Sequence, residues 1–194
     1  MSSGTLVKKT AQLPEDNFTS YLGMIIGVGS FAMLFIALFA SYGVLRIRAG
    51  VWMGYTIGTL PLILLWVNTV IICSSSYILF KSGKSIKAGN LNTARKYVFA
   101  TLCFGAGFLL MQIILWNTLI AEGFIISAHQ AGSVFYMLSG LHGLHVLGGL
   151  AALMWLLLKL TQNKFKEKHG VMVGMFWHFL TVVWIAFFIL VVIV

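Results

Sequence analysis

Acidic side chains are nearly missing from this chain. Only Glu15, Asp16, Glu122 and Glu167 occur in 194 residues, and none lies inside an apolar run. A proton relay within the chain would need ionisable groups there, and a hard or borderline metal ion normally recruits carboxylate or thiolate. Both are disfavoured. Cysteine is equally scarce: Cys73 and Cys103 both sit within apolar runs. That placement suggests neither a disulfide framework nor a zinc site, and both read as buried small apolar residues. There is no internal repeat at the period of a helix pair and no low-complexity stretch. The ten-residue alternation of a membrane barrel is absent as well.

What the chain has in abundance is apolar length. Hydrophobic residues make up 60% of it, and the mean hydropathy is +0.98. About 20 apolar residues at 1.5 Å rise cross roughly 30 Å of hydrocarbon. Five such runs are present: Tyr21–Leu45, Gly58–Phe80, Tyr97–Leu119, Gly132–Leu160 and Gly170–Val194. In lipid every backbone polar group must be satisfied within its own segment, so these runs are expected to be helices. The expected fold is all-α, a polytopic membrane bundle of five transmembrane helices over 21–194. Residues 1–20 read as a flexible N-terminal tail. The first run begins too late, and with the wrong flanks, to be a cleaved signal peptide. No room is left for a soluble domain.

The net charge of +9 reflects topology rather than nucleic-acid binding. Assigning alternate loops to opposite faces puts eleven of the thirteen Lys and Arg on one side: the tail, the second loop (Lys81, Lys84, Lys87, Arg95, Lys96) and the fourth (Lys159, Lys164, Lys166, Lys168). Arg46 and Arg48 face the other side. Positive residues are retained on the cytoplasmic side, so the N-terminus is expected inside and the C-terminus outside.

Polar residues within the runs are the candidates for function. Gly23 and Gly27 form a small-xxx-small spacing that lets helix backbones approach closely. Asn68 and Ser75, seven apart, share a face with Thr69, Ser74 and Ser76 nearby; that face is expected to meet other helices through hydrogen bonds. Gln112 and Trp116 are four apart on the third run. Glu122 and His129 fall in the next loop, where a solvated role is the default. His142 and His145 lie three apart in the fourth run, and Trp177, His178 and Trp184 occupy the fifth.

A b-type haem in a membrane is clamped by histidines on facing helices at similar depth. His142 and His145 share one helix, so His178 would have to be the partner. Counting rise from the inner ends puts His145 and His178 about 10 Å apart in depth, which makes such ligation awkward. The expected role for His142, His145 and His178 is therefore to donate ring N–H bonds between helices, with no metal, cofactor or catalytic residue in the chain.

The segment Gly132-Ser133-Val134-Phe135-Tyr136, then Gly140-Leu141-His142-Gly143-Leu144-His145-Val146 and Gly148-Gly149, resembles the sixth-helix signature of subunit III of haem-copper respiratory oxidases. Phe176-Trp177-His178-Phe179-Leu180-Thr181-Val182-Val183-Trp184 is similar to that family's last-helix motif. Leu60-Pro61, Asn68-Thr69 with Ser74-Ser75, and Gly105-Ala106-Gly107-Phe108 with Gln112 match in order and rough spacing. The resemblance runs from about Tyr21 to the C-terminus and fits the shorter, five-helix bacterial form. It departs at three points where the family usually carries an acid: Phe31 after Ser30, Leu115 before Trp116, and Thr181.

The resemblance implies a non-catalytic subunit of a terminal oxidase, either cytochrome c or quinol oxidase, in a bacterial cytoplasmic membrane. The complex would reduce oxygen to water and translocate protons, with haem and copper in partner subunits. The chain would pack directly on subunit I, beside subunit II and smaller subunits, with bound phospholipid and no nucleic acid. Two alternatives stand beside it: a small b-type cytochrome or quinol-binding anchor using His145 and His178, and a small transporter. Against the transporter stand the missing intramembrane charge and the lack of repeat symmetry.

Overall fold

A computed structural model describes residues 15–49, 58–123, 130–162, 165 and 167–190. It contains α1 (Glu15–Ala49), α2 (Thr59–Lys87), α3 (Leu91–Ala121), α4 (Gln130–Thr161) and α5 (Glu167–Phe188). All five are long and apolar enough to cross a membrane. The apolar runs form their cores, and the helices overrun most ends by several residues. α1 already begins at Glu15, inside the segment assigned to the tail; residues 1–14 and His129 lie outside the described part.

Local chemistry sets the helix ends. Pro61 is buried in the first turn of α2, where its missing N–H removes a donor that has no intrahelical partner anyway. α2 stops at a tight turn in which Gly89 takes φ 74°, a conformation glycine adopts without steric penalty. The Asn90 side chain then accepts from Thr93 N at 3.2 Å and caps α3. Three residues thus join α2 and α3 into an antiparallel hairpin. At the end of α4, the Arg95 guanidinium donates twice to the Leu160 carbonyl, from Nε at 3.0 Å and from Nη2 at 2.6 Å. That arginine supplies a charge-assisted cap for a carbonyl with no intrahelical donor.

Glu122 does more than face solvent. The Gly58 N–H donates to its Oε2 at 3.2 Å, so the carboxylate leaving α3 sits on the N-terminus of α2. A negative charge there complements the helix dipole. A Cβ on Gly58 would lie 2.6 Å from Glu122 Oε1, so a larger residue there would push the carboxylate aside. Glu122→Gln is expected to cost about 0.5–1 kcal/mol by removing that charge, read as a lower midpoint in thermal unfolding of the detergent-solubilised protein.

α2, α3, α4 and α5 form a closed ring, each packed on two neighbours, and α1 lies outside it against α4 and α5. α1 is attached by an aromatic edge: Phe35 and Tyr42, two turns apart, are its buried hydrophobic side chains. The small-xxx-small expectation is not met here. Nothing among the described residues lies within 4 Å of a Cβ built on Gly23, Gly27 or Gly29, and Ser30 Oγ donates to Ile26 O of its own helix. The bulk of Phe31 and Phe35 directs the aromatic face, not the glycine face, towards the ring. The cysteine expectation also needs correction, since Cys103 is exposed and Cys73 only partly covered. In a lipid-facing position a small apolar side chain gains nothing from burial.

Candidate functional site

The site is built in layers along the bundle axis, and Trp177 organises the innermost. Its ring is 1% exposed. A Cβ on Gly105 of α3 would come 2.6 Å from the Trp177 ring, and one on Gly149 of α4 would come 3.0 Å from it. The indole therefore fills the space that two glycines on two helices leave open. Its Nε1 donates to Ser75 Oγ of α2 at 3.1 Å, and Ser75 Oγ donates to Ile72 O at 2.7 Å. One side chain of α5 thus touches all three other helices of the ring.

Two turns along α5, Trp184 repeats the pattern: its Nε1 donates to Thr69 Oγ1 at 3.2 Å. Its ring packs edge-on to Phe108, centroids 4.8 Å apart, and lies 5.3 Å from the His142 ring. In the same layer Asn68 Nδ2 donates to Gln112 Oε1 at 2.9 Å, a buried link between α2 and α3. Nearer the other end, Trp116 Nε1 donates to Ser139 Oγ at 3.1 Å and joins α3 to α4. Asn68, Ser75, Gln112, Trp177 and Trp184 therefore connect helices through hydrogen bonds.

The three histidines behave differently from one another. His178 is the interhelical one: its Nδ1 and Ser76 Oγ are hydrogen-bonded at 2.5 Å, tying α5 to α2. His145 turns back on its own helix, Nδ1–H donating to Leu141 O at 2.7 Å, while its ring meets Phe31 and Phe35 of α1 at 4.6 and 5.5 Å. His142 makes no hydrogen bond through either ring nitrogen. Instead Phe35, Phe108 and Trp184 surround its ring at 6.3, 5.9 and 5.3 Å. Two of the three expected interhelical imidazole bonds are replaced by ring packing, because the partners around α4 are aromatic rather than hydroxyl or carbonyl.

His145 and His178 also lie closer in depth than the count of helical rise implies. Trp177 abuts Gly149, which places His145 about 6 Å and His178 about 1.5 Å beyond that level in the same direction. The offset is about 4–5 Å, half the expected value, because the Trp177–Gly149 contact slides α5 along α4. What separates the two rings is the neighbour each addresses, α1 for His145 and α2 for His178. Among the described residues no three or more of His, Cys, Asp and Glu come together as a metal-binding group would.

This contrast sets up a prediction. His178→Leu breaks the Ser76 bond and is expected to cost about 0.6–2 kcal/mol, the range for such bonds in membrane proteins. His142→Leu roughly conserves volume and removes two buried polar atoms that lack partners, so it is expected to be neutral within about 1 kcal/mol or stabilising. Detergent-denaturation midpoints of the two variants, measured side by side, check it.

Residues 14–194 match the family described as cytochrome c oxidase subunit III. The chain belongs to that family. Among relatives, it is 35% identical over 187 residues to a probable cytochrome c oxidase subunit 3 of Nocardia farcinica, covering 94% of this chain and 91% of the relative. It is 32% identical to cytochrome c oxidase subunit 3 of Corynebacterium diphtheriae over 94% and 91% of the two chains. For the protein of that name from Thermostichus vulcanus the identity is 30%, over 86% and 83%.

This subunit III is thus a multi-pass membrane component of a terminal oxidase, as the two histidine motifs had implied. The three positions that depart from the family pattern are each accommodated in the fold. Phe31 stands edge-on to His145 at 82°, Leu115 is fully buried, and Thr181 Oγ1 donates to Trp177 O at 3.1 Å. Apolar contact or an intrahelical bond occupies each place. Two structural partners were not singled out in the sequence: Phe35 and Ser139 carry no motif. Only the seven-residue spacing of Phe35 and Tyr42 could have pointed to a buried aromatic edge on α1.

Proposed function

We propose that this chain is a non-catalytic subunit that binds no haem or copper itself, packs on subunit I of a cytochrome c oxidase and stabilises it there. Electron transfer and oxygen reduction then belong to subunits I and II, and this chain supports sustained turnover of the proton-translocating complex. The carrying observation is the use made of the polar side chains within the spans: Trp177, Trp184, Asn68, Ser75 and His178 each take part in a hydrogen bond to a neighbouring helix. In hydrocarbon such bonds and close packing hold a bundle together.

On this reading the chain sits in a bacterial cytoplasmic membrane, N-terminus inside and C-terminus outside, and its loop charges support that orientation. Lys81 over Tyr77, Lys84 over Phe80 and Lys159 over Trp155 fit that placement, since basic and aromatic side chains together anchor helix ends at an interface. The assembled subunit also holds phospholipid and meets smaller subunits of the complex.

Affinity purification through a tag on this chain tests the reading. Haem and copper are expected to co-purify with companion polypeptides, and the chain separated from them is expected to show no Soret band. A separated chain that retains stoichiometric haem or copper would overturn the proposal, as would a chain recovered without oxidase partners.

A further inference from the structure

Inside the ring, one layer of side chains uses only half of its polar atoms. Asn68 of α2, Gln112 of α3 and His142 of α4 are each at most 2% exposed. The bond from Asn68 Nδ2 to Gln112 Oε1 uses one polar atom of each amide. Among the described residues nothing pairs with Asn68 Oδ1, Gln112 Nε2 or either ring nitrogen of His142. Helix register brings these atoms to one depth. α3 and α4 run antiparallel, with Trp116 bonded to Ser139 and Gly105 set against Leu150. Counting along the two helices from either contact puts Gln112 opposite Gly143, the neighbour of His142. Phe108, one turn before Gln112, stands 5.9 Å from the His142 ring.

The same level has room. Gly143 is buried, yet a Cβ built on it would meet only Leu109 Cδ2, at 3.9 Å. That leaves space for at least a methyl group between α3 and α4. A water molecule, at about 30 Å³ in the liquid, is of similar size.

We propose that this layer is a binding site for one internal water molecule, which bridges α2, α3 and α4 deep within the membrane. The polar groups are complementary to it. Asn68 Oδ1 can only accept, Gln112 Nε2 can only donate, and a neutral imidazole has one nitrogen of each kind. The water donates to Asn68 Oδ1, accepts from Gln112 Nε2 and meets His142 through either nitrogen. Three partners are the usual number for a buried water. Bulk solvent cannot serve these groups in hydrocarbon, and leaving buried donors and acceptors unpaired is costly. An ion suits the place less well, because donor and acceptor are presented together and no acid belongs to the layer. In His142→Leu the water keeps its bonds to Asn68 and Gln112, in accord with the near-neutral effect expected of that variant.

Radiolytic labelling tests the site on the purified protein with whatever subunits accompany it. Brief X-ray pulses split water into hydroxyl radicals, which oxidise the side chains beside them, and mass spectrometry locates the products. His142 is expected to be oxidised. Trp177 is the internal control: it is equally buried and more reactive, and its one polar atom is already bonded to Ser75. Gly143→Ala, whose methyl takes the open space, is expected to abolish the His142 label with accompanying subunits retained. Gln112→Leu removes the donor and is expected to do the same, so the outcome does not hang on one variant. Labelling of His142 no greater than that of Trp177 in the unaltered protein overturns the proposal. So does a label that persists in an assembled Gly143→Ala or Gln112→Leu variant. A density map in which His142 bonds directly to Gln112 overturns it as well.

Discussion

Trp177→Ala is expected to destabilise the bundle by about 4 kcal/mol, the largest effect of any single truncation in the chain. The reason is specific to a membrane protein. Lipid is as apolar as the helix surfaces, so no transfer term rewards burial, and the loss comes from packing and hydrogen bonding. Removing the indole opens roughly 140 Å³, which at about 24 cal/mol per Å³ amounts to about 3 kcal/mol. The bond to Ser75 Oγ adds about 0.6–2 kcal/mol. Collapse can fill the space only in part, because Gly105 and Gly149 offer no side chains to move in and the leucines beside them, Leu150 and Leu180, are smaller than the indole. SDS titration of the protein in mixed micelles should show the midpoint shift, and in the complex the subunit should be lost at lower detergent. A shift under 1 kcal/mol would mean that Trp177 is a passenger.

The converse change, Gly105→Leu, is expected to be comparably damaging from the opposite cause. Its Cβ alone would lie 2.6 Å from Trp177 and 2.8 Å from Leu150, and the rest of the leucine has nowhere to go. Overpacking of this kind forces rotamer and backbone shifts costing about 1–3 kcal/mol, or more when the neighbour is a rigid ring. Because clash and cavity occupy the same space, the pair Gly105→Leu with Trp177→Ala should recover part of the loss. A double-mutant cycle is expected to show a favourable coupling of about 1–3 kcal/mol, as residues in contact do. Strict additivity would show that the Gly105–Trp177 contact does not set how close α3 and α5 lie.

These two changes also explain how the four-helix ring is specified without a hydrophobic driving force. Shape does the selecting: a large ring on α5 fits against small residues on α3 and α4, while its one donor finds a hydroxyl on α2. The second tryptophan repeats the scheme through Thr69 and Phe108. α1 lacks such a fit on its glycine face, which explains why it sits outside the ring, against α4 and α5, with aromatic contacts to both.

Much of this is legible in the sequence alone. Asn68 and Ser75 share a face by spacing alone, and both do meet neighbouring helices. The partners were not legible. Nothing in the order of residues says that Asn68 would find Gln112 rather than Ser139, or that Ser76 and not Ser75 would take His178. Those pairings depend on the rotation and axial slide of each helix. The histidines show the limit most clearly, since three imidazoles of similar sequence context found a hydroxyl, a carbonyl of the same helix and a cage of rings.

The number of spans, their helical form and the asymmetry of charge across them followed from sequence, because hydrocarbon thickness and unsatisfied backbone groups leave little choice. The family also followed, through two motifs on the last two helices. Which side chains touch, where α1 attaches and how far α5 slides along α4 were decided by tertiary structure. In lipid those features rest on steric fit between helices, and fit is a property of two surfaces at once rather than of either sequence.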